Sequence, residues 1–479
     1  MTMRSVFIET LGCQMNRNDS ELMLGLLARE GFRQAANPRE ADLVVLNSCQ
    51  IRAQAEDKAY SYLGHWNTLK KHRPDLKIAL TGCVAQQTGE NAFSRSPGVD
   101  IVVGTQNLHD LPALVRRAFA GEERVMAVDR QKSRSSYDMM EDVAPVRQSA
   151  VSAWVTIIEG CDYFCTYCVV PYTRGRQISR PRESILAEAR DLAALGYREI
   201  TLLGQTVDSY GRDRPQEAYY LAHLLHDLHA IEGLARIRFM TSHPLDLDDA
   251  LIAAVADLPR VMAYFHLPMQ SGDDDVLARM KRGYTAAQYF ERLDAIRARL
   301  PHAAISGDFI VGFPGETEAQ FERTIEAVTR ARFDGANTAA YSPRAQTPAG
   351  IWESRGEGVI SDAVKQDRLQ RLNTVITAQS LANNQQFEGQ QVEVLVEGPS
   401  KRNAQRWTGR TEGNKVVNFD PPQPLGALSP GQLVNVFIEK AFPFSLMGYC
   451  VTPPPAPSAS PEIFTENTQR TAALADAVR

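Results

Sequence analysis

Short apolar runs alternate with amphipathic stretches along the first 120 residues of the chain. The strand-like runs are SVFIET, ADLVVLN, KIALT and VDIVVG, and helical stretches such as DSELMLGLLAREG lie between them. Buried strands that alternate with helices are typical of a parallel sheet covered by helices. The pattern therefore predicts an N-terminal parallel α/β domain over residues 3–120.

The same alternation resumes after residue 150. Six apolar runs are each followed by small or polar residues, and they read AWVTIIE, EITLLG, RIRFMT, MAYFHLPM, ISGDFIVG and ANTAAYS. Polar residues that follow successive strands are typical of a (β/α) barrel whose mouth carries the active site. Six units, rather than eight, predict a partial (β/α)6 barrel over residues 151–380.

The remaining segments have other patterns. Residues 121–150 are polar and irregular, and they predict a linker. The runs QQVEVLVEG, RWTGRTEGNKVVNF and GQLVNVFIEKAF predict a small antiparallel β-barrel over residues 385–452. Residues 453–479 begin with a Pro- and Ser-rich run, which predicts a disordered tail.

Composition and charge exclude only a few classes of function. The formal net charge is −5 and the hydrophobic fraction is 44%, so overall charge does not indicate a nucleic-acid binder. No run of about 18 apolar residues predicts a membrane span. The N-terminal residues lack the pattern of a signal peptide, and we expect a cytoplasmic protein.

The chain has seven cysteines, an odd number that argues against a disulfide framework. Cys450 stands alone, and we interpret it as a small buried residue. The other six form two sets: a compact set, Cys161, Cys165 and Cys168, and a dispersed set, Cys13, Cys49 and Cys83.

The compact set has the spacing CxxxCxxC, which leaves a four-ligand metal site one ligand short. A 4Fe-4S cluster with one iron open to a substrate fits three cysteines, whereas the alternatives are a structural metal site or buried thiols. Each cysteine of the dispersed set follows a predicted strand. Because the carboxyl ends of parallel strands meet at one edge, we expect these three to converge and hold a second cluster.

The sequence motifs around both cysteine sets resemble those of the radical S-adenosylmethionine (SAM) methylthiotransferases. The similar stretches, spread over about residues 3–450, are ETLGCQMNRNDSE, LNSCQIRAQAEDK, TGCVAQQ, GCDYFCTYCVVPYTRGR, LLGQTVDSYG, FIVGFPGET and YSPRAQTP. GCQMN, SCQIRAQAEDK and PYTRGR are most similar to the branch that modifies tRNA. Ser48, Thr206 and Asp208 depart from the Thr, Asn and Asn that are common in the family.

The resemblance implies the cofactors and their sites. The compact set would bind the radical SAM 4Fe-4S cluster, and the dispersed set an auxiliary 4Fe-4S cluster. SAM would serve as both radical source and methyl donor, and no catalytic residue separate from the cluster ligands is implied. The residues implied to contact SAM follow the later strands, and they are Gly204, Gln205, Gln270, Asp308 and Gly312.

The resemblance also implies a reaction. It is the conversion of N6-isopentenyladenosine to 2-methylthio-N6-isopentenyladenosine at tRNA position 37. The partners would be the tRNA anticodon stem-loop and an external one-electron donor. The target C–H bond is unactivated, so a cofactor-derived radical is needed. The alternatives are threonylcarbamoyladenosine in tRNA, a ribosomal-protein aspartate, or a non-enzymatic RNA-binding or electron-transfer iron–sulfur protein.

Two basic segments predict RNA contacts. In TRGRQISRPR, Arg174 and Arg176 suit a phosphate-contacting rim, and the alternative is a solvated or salt-bridged surface. The C-terminal barrel resembles a TRAM domain, where basic residues around an aromatic suit single-stranded RNA. Its candidate contacts are Lys401, Arg402, Arg406, Trp407 and Arg410, although Trp407 also fits the barrel core.

Overall fold

The first folded unit is a six-stranded parallel sheet in the order β2-β1-β3-β4-β5-β6. The computed structural model describes residues 3–50, 53–129, 135–140, 142–422 and 428–451. The elements of this unit are β1 (Arg4–Leu11), α1 (Gln14–Arg29), β2 (Phe32–Gln34), β3 (Leu43–Ser48), α2 (Ala53–His72), β4 (Lys77–Thr81), α3 (Gly82–Thr88), α4 (Asn91–Arg95), β5 (Ile101–Val103), α5 (Leu111–Phe119) and β6 (Val125–Ala127).

Strand β3 shows why this sheet is covered on both faces. Every one of its residues is buried. Leu43 and Val45 belong to one apolar core, and Val44 and Leu46 belong to the core on the opposite face. Side chains of a strand alternate between faces, so a continuous apolar run needs helices on both sides.

The described residues of the segment predicted as a linker, 121–150, include a strand and buried side chains. Strand β6 pairs with β5 at the edge of the sheet. Further along, Ser135 and Ser136 are buried and donate hydrogen bonds to the carboxylate of Glu159, which lies in the central barrel. The segment looks polar in sequence because its polar side chains find buried partners across the two units.

The second unit is the predicted partial barrel. Two three-stranded parallel sheets, β11-β10-β7 and β12-β13-β14, are linked by a parallel bridge between Ile237 and Val261. Its elements are β7 (Ser152–Thr156), β8 (Ile158–Glu159), α6 (Val170–Thr173), β9 (Ile178–Ser179), α7 (Arg182–Ala194), β10 (Glu199–Leu203), α8 (Leu221–His229), β11 (Arg236–Phe239), α9 (Asp249–Asp257), β12 (Tyr264–His266), α10 (Asp274–Arg279), α11 (Ala286–Arg299), β13 (Ala304–Val311), α12 (Glu318–Ala331), β14 (Gly335–Ala340), α13 (Pro348–Ser354) and α14 (Asp362–Gln385).

The third unit is a closed five-stranded barrel. Four of its strand pairs are antiparallel, as predicted, and the pair β17–β19 that completes the ring is parallel. The fold class predicted for the three units is thus confirmed. The predicted tail, residues 453–479, lies outside the described residues. The strands are β15 (Gln391–Pro399), β16 (Trp407–Arg410), β17 (Val416–Asp420), β18 (Leu433–Phe442) and β19 (Ser445–Cys450).

The third unit is attached to the amino ends of the central strands. Arg236 donates a hydrogen bond to the carbonyl of Arg410 at 2.6 Å, and Arg238 donates to the carbonyls of Thr411 and Glu412. Both arginines lie on β11, and Arg236 is its first residue. The C-terminal barrel is therefore fixed at the opposite end of the strands from their carboxyl ends.

Gly82 makes the close junction between β4 and α3, and it generates a stability prediction. Its φ of +84° favours glycine, and a Cβ there would lie 2.5 Å from Asn47 Oδ1 and 2.6 Å from the carbonyl oxygen of Ser48. Gly31 is the matched control, because its φ is +81° but a Cβ would meet nothing within 4 Å.

We expect Gly31→Ala to lower the free energy of unfolding by about 1 kcal/mol, the cost of a left-handed alanine. Gly82→Ala should cost about 2 kcal/mol more, since it also overpacks a buried junction. Urea titrations followed by circular dichroism measure both changes. Equal losses in the two variants would contradict the steric account.

Candidate functional site

The dispersed set converges at one edge of the N-terminal sheet. Cys13, Cys49 and Cys83 follow β1, β3 and β4, which are neighbours in the sheet. The backbone N–H of Cys49 donates to the carbonyl of Leu11 at 2.8 Å, so the first two cysteines are held side by side. A Cβ on Gly12 would lie 2.6 Å from the Cβ of Cys49, which explains the glycine before Cys13.

The three thiols of the dispersed set interact directly. Hydrogen bonding from Cys49 lowers the pKa of Cys13 to about 6 and that of Cys83 to about 7, and burial opposes both shifts. The same hydrogen bonds raise the pKa of Cys49. Two of the three sulfurs are therefore readily available as thiolates, the form that binds metal.

A buried ion pair lies beside these thiols. The guanidinium of Arg174 donates to the carboxylate of Asp19 at 2.7 Å, and the two side chains are 3% and 2% exposed. The positive charge of Arg174 also lowers the pKa of Cys13 and Cys83. Its Nη1 is buried and has no hydrogen-bond partner among the described residues. A buried donor without a partner next to thiolates fits a site that holds a negatively charged group.

The compact set lies in the loop after β8, at the carboxyl end of the central barrel. Gly160 precedes it with a φ of +78°, and a Cβ there would lie 2.1 Å from the carbonyl oxygen of Arg176. The N–H of Cys161 donates to the carbonyl of Gly175, and that of Cys168 donates to the carbonyl of Cys165. The glycine and these turns fold the CxxxCxxC loop back on itself.

Burial dominates the electrostatics of the compact set. It raises the pKa of Cys161, and it raises the pKa of Cys168 to about 12. These thiols therefore hold their protons at neutral pH until a metal displaces them. The hydroxyl of Thr206 lies 3.4 Å from the sulfur of Cys161, and Arg282 donates to the sulfur of Cys165 at 3.5 Å.

Neither set has the geometry of a mononuclear site. Among the described residues, no three histidine, cysteine or carboxylate side chains are placed to hold a single metal ion. A four-iron cluster offers a separate iron to each thiolate, so its ligands need not converge on one point. Two groups of three reduced cysteines at strand ends fit such clusters better than they fit one zinc ion.

Several buried polar atoms at the barrel mouth have no hydrogen-bond partner in the described part of the chain. The residues that carry these atoms lie directly after β10 and β11 or at the end of β12. Two of them, Ser242 and His266, lie side by side, because the N–H of Ser242 donates a hydrogen bond to the carbonyl of His266. Such atoms are costly to bury unless a ligand or water satisfies them. They are Gln205 Oε1, Ser242 Oγ, His243 Nε2 and His266 Nδ1.

The residues predicted to contact SAM divide into two groups. Gln205 and Gln270 follow β10 and β12, and Asp308 lies within β13, where it accepts hydrogen bonds from His266 and Asn337. These three are compatible with a polar ligand in the mouth.

The two predicted glycines both lie at closely packed positions. A Cβ on Gly204 would lie 3.1 Å from the Cβ of Ile158, which explains a glycine there. The N–H of Gly312 already donates to Glu316, and a Cβ on Gly312 would lie 2.5 Å from the Cγ of Lys365. The structure leaves no free N–H on Gly312 for a ligand.

The prediction that Arg174 contacts RNA is wrong. Its side chain is buried against Asp19 and cannot form part of a surface rim. Arg176 is exposed, but its guanidinium pairs with Asp162 at 2.6 Å and lies over the ring of Phe164. A run of arginines in sequence does not show which members point inward.

The basic residues of the C-terminal barrel also differ in whether they are exposed or paired with a carboxylate. Lys401 and Arg402 are exposed in the β15–β16 loop, whereas Arg406 pairs with Asp420 and Arg410 pairs with Glu397. Trp407 is half-buried and packs against the barrel core. The exposed basic surface is thus smaller than the sequence suggests.

The two cysteine sets lie on edges that face each other. Asn18 of α1 donates to Thr156, the last residue of β7, at 3.0 Å. Thr105 and Gln106, which follow β5, donate to the carbonyls of Thr173 and Arg174. The carboxyl edge of the N-terminal sheet is therefore packed against the carboxyl mouth of the central barrel.

Sequence reasoning missed several residues of this site. Ser242 and His243 stand after a predicted strand and were available from the same argument that selected Gln205. Burial, together with the charge of Arg282, lowers the pKa of His243 to about 2, so its ring is neutral. Asp19 and Arg282 carry no local signal, because only the fold shows that their charges are buried.

Comparison with known proteins agrees with this division of the chain. A family model described as uncharacterized protein family UPF0004 matches residues 5–104, the radical SAM superfamily model matches residues 155–328, and the TRAM domain model matches residues 385–451. The chain therefore combines a radical SAM domain with a UPF0004 domain and a TRAM domain. This combination is typical of methylthiotransferases.

Solved structures of one radical SAM methyltransferase share the fold at low identity. The radical SAM methyltransferase TsrM from Kitasatospora setae, with cobalamin and a [4Fe-4S] cluster bound, superposes with a TM-score of 0.55 at 14% identity, over 74% of this chain and 75% of that one. The same enzyme with tryptophan and a SAM analogue gives 0.54 at 14% identity, over 74% and 76%. The cobalamin-dependent radical enzyme OxsB, with aqua-cobalamin and SAM bound, gives 0.48 at 14% identity, over 77% and 56%.

No helix among the described residues combines the length and the apolar character needed to cross a membrane.

The buried pair of Asp19 and Arg174 generates a second stability prediction. Asp19→Asn leaves the guanidinium buried without its countercharge, and breaking such a pair costs about 3–5 kcal/mol. The matched control is Asp142→Asn, which removes the carboxylate of an exposed Asp–Arg pair with Arg29. We expect no measurable change in the control, since exposed pairs contribute little.

Thermal and urea unfolding of the two variants test this expectation. If Asp19→Asn and Asp142→Asn unfolded at the same midpoint as the unaltered protein, the interface would not depend on the buried pair.

Proposed function

We propose that this chain is a tRNA methylthiotransferase that converts N6-isopentenyladenosine to 2-methylthio-N6-isopentenyladenosine at tRNA position 37. The observation that carries the proposal is the placement of two three-cysteine sets on facing edges, at the carboxyl ends of two parallel sheets. A reaction that joins a carbon radical to a sulfur atom needs both sources close together.

Each cysteine set has a proposed ligand role. The compact set would hold the 4Fe-4S cluster that binds SAM, and the dispersed set would hold the auxiliary 4Fe-4S cluster. When bound, these groups and SAM supply an electron, a holder for the inserted sulfur and a methyl group. The orphaned Nη1 of Arg174 beside the dispersed set supports a negatively charged occupant there.

Side chains around the mouth would bind and orient SAM. Gln205, Gln270 and Asp308 are proposed contacts, and Ser242 and His243 join them because each has a buried polar atom without a partner. His243 stacks on Tyr163 with ring centroids 3.7 Å apart. Its neutral ring offers a hydrogen bond without adding charge.

Burial of the mouth supports chemistry that must exclude water. Cys165 is 7% exposed, and Thr206 and Gln270 are 5% and 8% exposed. Enclosure prevents side reactions of reactive species with solvent. The contact of Thr206 with Cys161 also restrains one cluster ligand.

The RNA partner is proposed to be the tRNA anticodon stem-loop. A buried mouth requires the adenine to be unstacked before it can react. Within the TRAM domain, the exposed Lys401 and Arg402 would contact phosphates, with Arg406, Trp407 and Arg410 as flanking residues; Arg176 is the corresponding candidate near the mouth. An external one-electron donor completes the set of partners, and a cytoplasmic location is proposed because seven cysteines, an odd number, do not suit a disulfide framework.

Cysteine variants test the two ligand roles separately. We expect Cys161→Ala to abolish reductive cleavage of SAM, because it removes a ligand of the cluster that binds SAM. Cys49→Ala should retain SAM cleavage and lose methylthio transfer. Cys450→Ala is the control, since this residue belongs to the C-terminal barrel, and it should retain both activities.

These activities are measured on anaerobically reconstituted protein with a reductant and unmodified tRNA. Full formation of the methylthiolated nucleoside by Cys49→Ala would remove the basis for an auxiliary cluster.

Mass spectrometry of nucleosides from a deletion strain separates the candidate substrates. Loss of the methylthio group from isopentenyladenosine supports the proposal. Loss from threonylcarbamoyladenosine, or a mass change on a ribosomal protein with tRNA unchanged, favours a related methylthiotransferase. No change in any of them would indicate a non-enzymatic RNA-binding protein.

A further inference from the structure

Arg282 is a buried cation at the compact cysteine set. It is 5% exposed and lies in the loop between α10 and α11. Its guanidinium donates to the sulfur of Cys165 at 3.5 Å, to the carbonyl of Pro268 at 3.1 Å and to the hydroxyl of Tyr284 at 3.0 Å. Tyr284 in turn donates to the carbonyl of Met269 at 2.9 Å. These bonds fix the charge in one orientation.

Arg282 lacks the carboxylate partner that the other buried arginines have. In the described part of the chain, the remaining buried arginines each form a salt bridge with Asp or Glu, and they are Arg174, Arg180, Arg236, Arg238, Arg344 and Arg368. No salt bridge involves Arg282 there. The groups around it include the neutral side chains of Tyr167, His243 and Tyr284 and the sulfurs of Cys165 and Cys168.

A buried guanidinium without a countercharge is costly unless negative charge is present when the protein is functional. A 4Fe-4S cluster held by cysteine thiolates supplies such charge. Hydrogen bonds to its sulfurs and nearby charges are among the factors that set its reduction potential.

We infer that Arg282 is a positioning residue that raises the reduction potential of the cluster at the compact set by donating to Cys165. One-electron reduction by the external donor adds one negative charge to the cluster. A fixed cation stabilises the reduced form more than the oxidised form. The inference rests on the proposed function only in requiring a cluster at the compact set.

The test isolates that cluster in a variant with Cys13, Cys49 and Cys83 all changed to Ala. Within this background, Arg282→Met removes the charge and keeps an unbranched chain, and Arg282→Lys keeps the charge. Arg238→Met is the control, because Arg238 is equally buried but lies on β11, where it contacts the C-terminal barrel. Redox titration monitored by electron paramagnetic resonance gives the midpoint potential of each variant.

We expect Arg282→Met to have a more negative midpoint potential than the background, and a several-fold smaller fraction of its cluster should be reduced at a fixed dithionite concentration. The midpoint potential of Arg282→Lys should shift less. Arg238→Met should match the background. An Arg282→Met cluster with intact iron content and the background midpoint would overturn the inference. A background variant without iron would instead contradict the proposed cluster itself.

If Arg282→Met does not retain iron, the inference is tested by comparing Arg282→Lys with Arg282→Gln. Iron content after anaerobic loading is measured together with thermal unfolding of the unloaded proteins. If the Lys variant binds iron and the Gln variant does not, while the two unloaded proteins unfold at the same temperature, the result supports Arg282 as the countercharge of the cluster. Equal loading or equal failure in the two variants contradicts it.

Discussion

The buried ion pair between Asp19 and Arg174 is the contact on which the site depends. Asp19 belongs to α1, which begins directly after Cys13, and Arg174 follows the compact cysteine set by six residues. A salt bridge between them therefore ties the two cysteine sets to a common interface. Desolvating two charges is expensive, so the pair specifies one arrangement of the two units more than it adds net stability.

The two ends of the strands of the central barrel have different roles. The carboxyl ends carry the compact cysteine set and the orphaned polar atoms, whereas Arg236 and Arg238 hold the C-terminal barrel near the amino ends. The C-terminal barrel and the mouth therefore lie at opposite ends of the central strands.

Periodicity and strand ends were the most informative features of the sequence. Alternating apolar runs indicated all three units, and cysteines after successive parallel strands indicated the convergence of Cys13, Cys49 and Cys83. Charge patterns were less informative, because burial depends on partners that are distant in sequence. Arg174 and Arg282 look like surface residues in sequence, yet both are enclosed by the fold. The short edge strands β2 and β6 were missed.

The central claim is that the chain holds two four-iron clusters, one on each cysteine set. Iron and sulfide quantification of anaerobically reconstituted protein tests it most directly. The account predicts about eight irons per chain, and about four when either set is replaced by alanine, since each cluster contains four irons. About four irons in the unaltered protein, with no loss when Cys13, Cys49 and Cys83 are replaced, would contradict it.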